Sequence, residues 1–195
     1  MVIETARLRL LCYAPEHLLA LLEGVPQFEE RIGLRAAEGL RDFIVSDEVS
    51  PAWLSQLRAA TGADPWVHGF AVLHRESRSV IGNAGFKGPP DADGMVEIAY
   101  GIVPGYQGSG YATEAAEALV AFAFDSGQVH LVRAHTLPTS NASTRVLAKC
   151  GFKRIGEVVD PEDGLVWRWE RTKELAQQSA GAHRTVSASD LSQRN

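Results

Sequence analysis

Only two cysteines, Cys12 and Cys150, occur in 195 residues. They stand too far apart for a CxxC pair and lack the Cys/His spacing of a zinc site. Free thiols, a reducing cytoplasmic compartment and no structural metal are therefore expected. Cations are also scarce: 19 Lys and Arg against 24 Asp and Glu give a net charge of −5. Nucleic-acid coating rests on clustered basic residues, so the composition argues against that partner while leaving room for a local basic pocket. Long apolar runs are missing too. The greasiest stretch, Leu18 to Leu22, falls far short of the ~20 residues a membrane helix takes. The opening Met1-Val2-Ile3-Glu4-Thr5-Ala6-Arg7 has no basic segment followed by an apolar one, so no secretory signal is read there.

What is present is ordinary for a globular protein, with 45% apolar and 22% charged residues. The length fits one domain with a core of useful size. We expect that domain over residues 1–174 and a disordered tail over 175–195, where periodicity dissolves into Ser, Ala, Gln and Arg. Thr5 to Leu11 alternates apolar and polar residues as a half-buried strand does. Pro15 opens a helix, and the pattern from Val25 to Ala63 is helical but broken, with a helix start at Pro51. Val67 to Leu73, Val80 to Phe86 and Met95 to Val103 read as strands. An alanine-rich helix follows Ser109, apolar on two sides and therefore packed on more than one. Leu131 to Thr136 is a strand, Ser143 to Cys150 a helix, and Phe152 to Val158 and Leu165 to Arg171 the closing strands. The order predicts an α/β fold: a mixed sheet with helices on both faces.

The chemistry concentrates in Gln107-Gly108-Ser109-Gly110-Tyr111-Ala112, between a strand and the alanine-rich helix. A helix start exposes unpaired amides and about half a positive charge. Glycines let a bulky anion approach the backbone, which suits a pyrophosphate. No Gly-Lys-Ser/Thr follows, so this is not a Walker loop, and the glycines at 105, 108 and 110 do not give the G-x-G-x-x-G ladder. A tight turn that merely needs glycine is the bland alternative.

With Gln107, Gly110 and Ala112 in the pattern Gln/Arg-x-x-Gly-x-Gly/Ala, the chain resembles the GNAT superfamily of acetyltransferases. The segments ETARLRL, VEIAYGI, YATEA and NASTRVLAKCGF resemble the branch that contains the ribosomal-protein N-terminal alanine acetyltransferases. The likeness runs from about Thr5 to Arg171. It implies a mostly antiparallel mixed sheet with a splayed strand pair, and acetyl-CoA as cosubstrate. It also implies pyrophosphate on the amides of Gln107 to Ala112, so Gln107, Gly108, Ser109, Gly110, Tyr111 and Ala112 are candidate ligands. Pantetheine would run near Ile102 and Val103 like a missing strand, and one amide could hold the acetyl oxygen.

Acetylating an amine requires a neutral nitrogen. At pH 7 an N-terminal amine loses its proton for about 1 kcal/mol and a lysine for about 4.6. Glu97 is the first candidate base, directly or through water; its alternative is a strand carboxylate facing solvent or paired with an arginine. An ordinary carboxylate is a weak base, so the role demands burial. The resemblance places a tyrosine acid at the position held here by Leu147, and in the branch resembled a serine at the helix start substitutes, matching Ser143. That serine would hydrogen-bond the departing sulfur, or else cap the helix. Asn141 either contacts CoA or caps the same helix. His68 and His135, both read as strand residues, titrate in the useful range but are more often structural. Trp66, Trp167 and Trp169 either line an acceptor pocket or fill the core, and Cys150 reads as packing. The acceptor is a primary amine, of a peptide N-terminus or a small molecule, met by a monomer or homodimer. The runner-up is an acyl-CoA-binding sensor or scaffold without turnover; a nucleotide-binding module ranks third.

Overall fold

The computed structural model describes residues 1–45, 50–161 and 163–173; the expected disordered tail lies outside the described residues. Eight strands form one path in the order β1 (Val2–Glu4), β2 (Leu8–Cys12), β4 (Phe70–His74), β5 (Ser79–Phe86), β6 (Met95–Ile102), β7 (Leu131–Thr136), β9 (Gly164–Thr172), β8 (Lys153–Asp160). A two-residue strand, β3 (Arg35–Ala36), adds to β5 in parallel. Apart from this and the β6/β7 pair, neighbours on the path run antiparallel. The sheet is thus mixed and mostly antiparallel, as expected.

Helices cover both faces. α3 (Leu40–Ile44) sets Phe43 against Gly101, where an added Cβ would come within 2.5 Å of the ring. α5 (Tyr111–Asp125) sends Phe122 to Phe86 and Phe70, with ring centroids 5.9 and 5.7 Å away. Phe86 pairs with Ile98, and strand alternation puts Ile98 and Gly101 on opposite faces. α1 (Pro15–Glu23), α2 (Val25–Ile32) and α4 (Pro51–Ala59) gather on the α3 side, where α1 packs on α2 and α4. α6 (Ala142–Lys149) joins α5 and β7. Ala115, Ala116, Leu119, Val120 and Ala123 of α5 are all buried, so this helix is packed on more than one side.

Two strand readings are corrected. Thr5 to Leu11 is not one strand: Thr5–Arg7 turns between β1 and β2, with the Thr5 hydroxyl donating to Leu8 O at 3.1 Å. Val67 and His68 do not belong to β4; their amides donate to Asp64 O in a turn, and the Asp64 amide donates to His68 Nδ1 at 3.0 Å.

The feature that positions the site is the parting of β6 from β7. Their parallel ladder covers only Met95–Glu97 with Leu131–Arg133. Beyond it β6 stays with β5 through Ile102, and β7 stays with β9 through Thr136. The sheet opens there as a wedge.

Candidate active site

A cavity of about 400 Å³ lies at the open end of the wedge. Its wall combines Tyr100 and Ile102 of β6, the loop that follows β6, the first turn of α5 and the inner side of α6. The loop begins with a 3-10 turn at Pro104–Tyr106 and reaches α5 through Gly108 and Gly110, whose φ values of 78° and 84° are left-handed. A side chain there adds roughly 1–2 kcal/mol of backbone strain, so the turn itself asks for both glycines. Among the described residues, no protein group accepts a hydrogen bond from the amides of Gly108, Ser109, Gly110, Tyr111 or Ala112. Five donors and the positive end of a fifteen-residue helix are therefore unspent, four of the donors on residues that line the cavity.

The loop is braced from outside. Gln107 turns inward on its own strand: its side chain donates to Ile102 O at 2.7 Å and its amide to Pro104 O at 3.2 Å. Its amide is thus not among the bare ones, contrary to expectation, because the 3-10 turn consumes it. Arg7 donates to Ser109 O at 2.8 Å, so this carbonyl faces away from the cavity, which Ser109 does not line. The same guanidinium meets Glu114 at 2.8 Å and lies 4.6 Å over the Tyr111 ring. Burial alone would raise the Glu114 carboxyl, but hydrogen bonds from Thr5 and Arg7 outweigh it and hold it below the ordinary carboxylate range. His74 joins the brace through Tyr111 Oη, 3.0 Å from its Nε2.

Along β6, Glu97 gives its carbonyl to Lys87 of the β5 side, and Val103 gives its amide to Ile81 O. Alternation then turns the backbone groups of Tyr100 and Ile102 into the wedge. Val103 is buried, spends its amide on β5 and lies outside the cavity wall, whereas Ile102 lines it. On α6 the two expected residues part company. Asn141 caps the helix, its Oδ1 accepting from Thr144 N at 3.0 Å, and does not line the cavity. Ser143, relieved of capping, is exposed at the cavity wall. Leu147 is buried. Cys150 is buried as well, its thiol pushed up to about 12 by burial first and by Glu117 next, which leaves no nucleophilic thiolate.

Glu97 sits at the fork of the wedge, where β6 and β7 last pair. Its Oε1 lies 3.0 Å from Lys87 Nζ and 3.1 Å from His135 Nδ1. Burial lowers Lys87, but the hydrogen bond and charge of Glu97 outweigh this and raise it. Both ring nitrogens of His135 are buried without a well-formed hydrogen bond among the described residues. The structure therefore brings a carboxylate and an imidazole together across the two parting strands. His68 stands apart, its imidazole pushed down by burial against the opposing charge of Asp64. Trp66 packs on Phe86 and Phe122, Trp169 donates to Thr136, and Trp167 donates to Glu157. None of the three lines the cavity.

Among the residues of the cavity wall that escaped sequence reasoning, three bear most on its chemistry. Arg145 and Lys149, one helical turn apart on α6, line it together; an i, i+4 basic pair near the end of a pattern already singled out was the available signal. Tyr100 lines it too, its hydroxyl buried without a partner among the described residues and its ionisation pushed up by burial. A single Tyr in an alternating strand carries no such signal.

A wedge between parallel strands, opening on a bare helix start with cations opposite, defines an acetyltransferase fold. Residues 7–153 match the family model described as the acetyltransferase (GNAT) domain, and the chain belongs to that family. It is 30% identical over 91 residues to YjdG of Bacillus subtilis (strain 168), an uncharacterized N-acetyltransferase, covering 47% of this chain and 52% of YjdG. The chain spans about half the length of the first curated relatives it matches. Two solved structures share the fold at 15% identity. The ribosomal-protein-S5-alanine acetyltransferase from Vibrio fischeri has a TM-score of 0.61, covering 89% of this chain and 97% of that one. RimL, a ribosomal L7/L12 alpha-N-protein acetyltransferase in complex with coenzyme A, has a TM-score of 0.60 and coverages of 88% and 98%. Among the described residues, no helix is long and apolar enough to cross a membrane.

Proposed function

We propose that the chain is an N-acetyltransferase that moves acetyl from acetyl-CoA to a primary amine by direct attack in a ternary complex. The observation that carries this reading is the set of unspent amides from Gly108 to Ala112 at the mouth of the wedge cavity. They suit the pyrophosphate, Arg145 and Lys149 add cations beside it, and the backbone groups of Tyr100 with the amide of Ile102 suit pantetheine, the Ile102 carbonyl being taken by the Gln107 side chain. With free cysteines Cys12 and Cys150, we place the protein in the cytoplasm.

In this reading the neutral amine attacks the thioester carbonyl, nitrogen gains the acetyl group and the carbon–sulfur bond breaks. The surplus ammonium proton passes to the Glu97–His135 pair, directly or through one water. Glu97 Oε1, 3.1 Å from Nδ1, orients the His135 ring. The hydroxyls of Ser143 and Tyr100, both at the cavity wall, stand ready to donate to the departing sulfur. A buried tyrosine that resists ionisation serves there as a hydrogen-bond donor rather than a full acid.

The test is thiol release from acetyl-CoA with a panel of amines and N-terminal peptides, alongside calorimetry with CoA. Glu97→Gln should cut turnover about 10²–10⁴-fold while CoA affinity stays within about twofold. Unchanged turnover moves the base elsewhere. CoA binding with no thiol release to any amine makes the chain an acyl-CoA-binding protein instead.

A further inference from the structure

The end of β4 carries a polar cluster that the transfer chemistry does not use, centred on His74. That residue closes a strand otherwise made of Phe, Ala, Val and Leu, and it is 8% exposed. An imidazole buried beside apolar neighbours is costly unless its ring nitrogens find partners. Here both do. The turn into β5 comes back tightly through Arg78, whose φ of 56° is left-handed and whose amide donates to His74 O at 2.9 Å. Ser77 is thereby laid against the ring, its amide 3.3 Å and its hydroxyl 2.9 Å from Nδ1. A backbone N–H can only donate, so Nδ1 accepts and the ring proton sits on Nε2. Nε2–H then donates to Tyr111 Oη at 3.0 Å. With its own proton directed at Nδ1, the Ser77 hydroxyl accepts from Tyr106 Oη at 3.3 Å.

Both tyrosines border the glycine loop. Tyr106 closes the 3-10 turn just before Gln107, Tyr111 opens α5 straight after Gly110, and both line the wedge cavity. Their rings meet His74 edge-on, with centroids 5.6 and 5.0 Å away, and stand 6.4 Å from each other. One imidazole is therefore tied to the two ends of the segment Gln107-Gly108-Ser109-Gly110. Its glycines give that segment many conformations when nothing holds its ends.

We infer that His74 is a positioning residue for the anion-facing loop: through Ser77 to Tyr106, and directly to Tyr111, it clamps both ends and keeps the amides of residues 108–112 presented together. That those amides take the CoA pyrophosphate rests on the transferase reading above; the clamp on the loop does not.

The experiment compares variants of the full chain in calorimetry with CoA, in acetyl-transfer kinetics and in hydrogen exchange. His74→Leu keeps the bulk and removes both bonds. It should raise the Kd for CoA and the KM for acetyl-CoA about 10-fold, with kcat within about twofold of the parent. His74→Gln, whose side-chain amide can still donate toward Tyr111, should recover most of the loss. Tyr111→Phe should weaken CoA binding as well, and adding it to His74→Leu should cost little more than His74→Leu alone. Ser77→Ala, at an exposed position, cuts the link to Tyr106 and should raise Kd about threefold. The amides of Gln107 and Glu114 bond to Pro104 O and Gly110 O across the two ends of the loop. Their exchange should quicken about 10-fold in His74→Leu.

A folded His74→Leu with parent-like Kd and exchange overturns the inference, and so does a fall in kcat at unchanged KM. If His74→Leu does not fold, Ser77→Ala and Tyr111→Phe decide, and parent-like Kd in both overturns it. A parent that binds no CoA sinks the transferase reading alone, because the exchange rates still report on the clamp.

Discussion

Replacing Arg7 by Met tests whether the anion-facing loop is held in shape from outside its cavity. The guanidinium donates to Ser109 O and to Glu114 Oε2, each at 2.8 Å, and lies over the Tyr111 ring. A charge-assisted bond to a carbonyl contributes roughly 1.5–3 kcal/mol, and an exposed cation–ring contact about 0.5–1. The Arg7 side chain is 47% exposed, so solvent screening brings the whole anchor to about 2 kcal/mol. Methionine keeps the stem and loses every donor. Glu114 is not orphaned, because the Thr5 hydroxyl and the residue 7 amide still reach it at 2.6 and 2.7 Å. If binding must then order the loop, the loss is about 30-fold in Kd for CoA. Calorimetry reads this directly, and a double-mutant cycle with Glu114→Gln should be clearly non-additive. A Kd within about twofold of the parent, with only Tm lowered, would refute the reasoning. Arg7 would then support the fold and not the loop.

Arg145→Glu and Lys149→Glu should each weaken CoA binding about 3- to 10-fold at low salt, the effect fading as salt rises; indifference would place the phosphates elsewhere. Leu119→Ala, at a fully buried position of α5, should cost about 2–5 kcal/mol and lower Tm by roughly 5–15 °C in thermal denaturation. Glu114 is depressed in the folded state. Its contribution is therefore present above the unfolded carboxyl value of ~4.3 and lost as pH falls through the lower folded one. Urea midpoints taken from pH 7 down to 3 should drop further for the parent than for Glu114→Gln, and parallel curves would count against the anchor.

The regular parts of the fold were legible because they obey one local rule. Leu131–Thr136 forms β7 with those same ends, its residues half-buried and buried in strict alternation. Where a distant partner decides, local pattern misleads. Thr5 to Leu11 alternates throughout, yet Thr5 and Arg7 leave the ladder to bind Glu114, more than a hundred residues away. Val67 and His68 continue the β4 pattern in sequence, but Asp64 captures their amides first. The site divides in the same way. The glycine loop could be read because left-handed backbone demands glycine locally. Asn141 resolves as a cap through a bond three residues on. His135 gains interest only when β7 brings it beside Glu97, and no spacing in the chain announces that meeting.

Because β6 leaves β7 after Glu97 while each strand keeps its other neighbour, the sheet gives up part of one ladder and none of its core: Ile98 and Ala134 stay buried although their strands have parted. An opening made this way adds space for a ligand without hollowing the interior, so residues along its rim can be exchanged while the packing that holds the fold stays put.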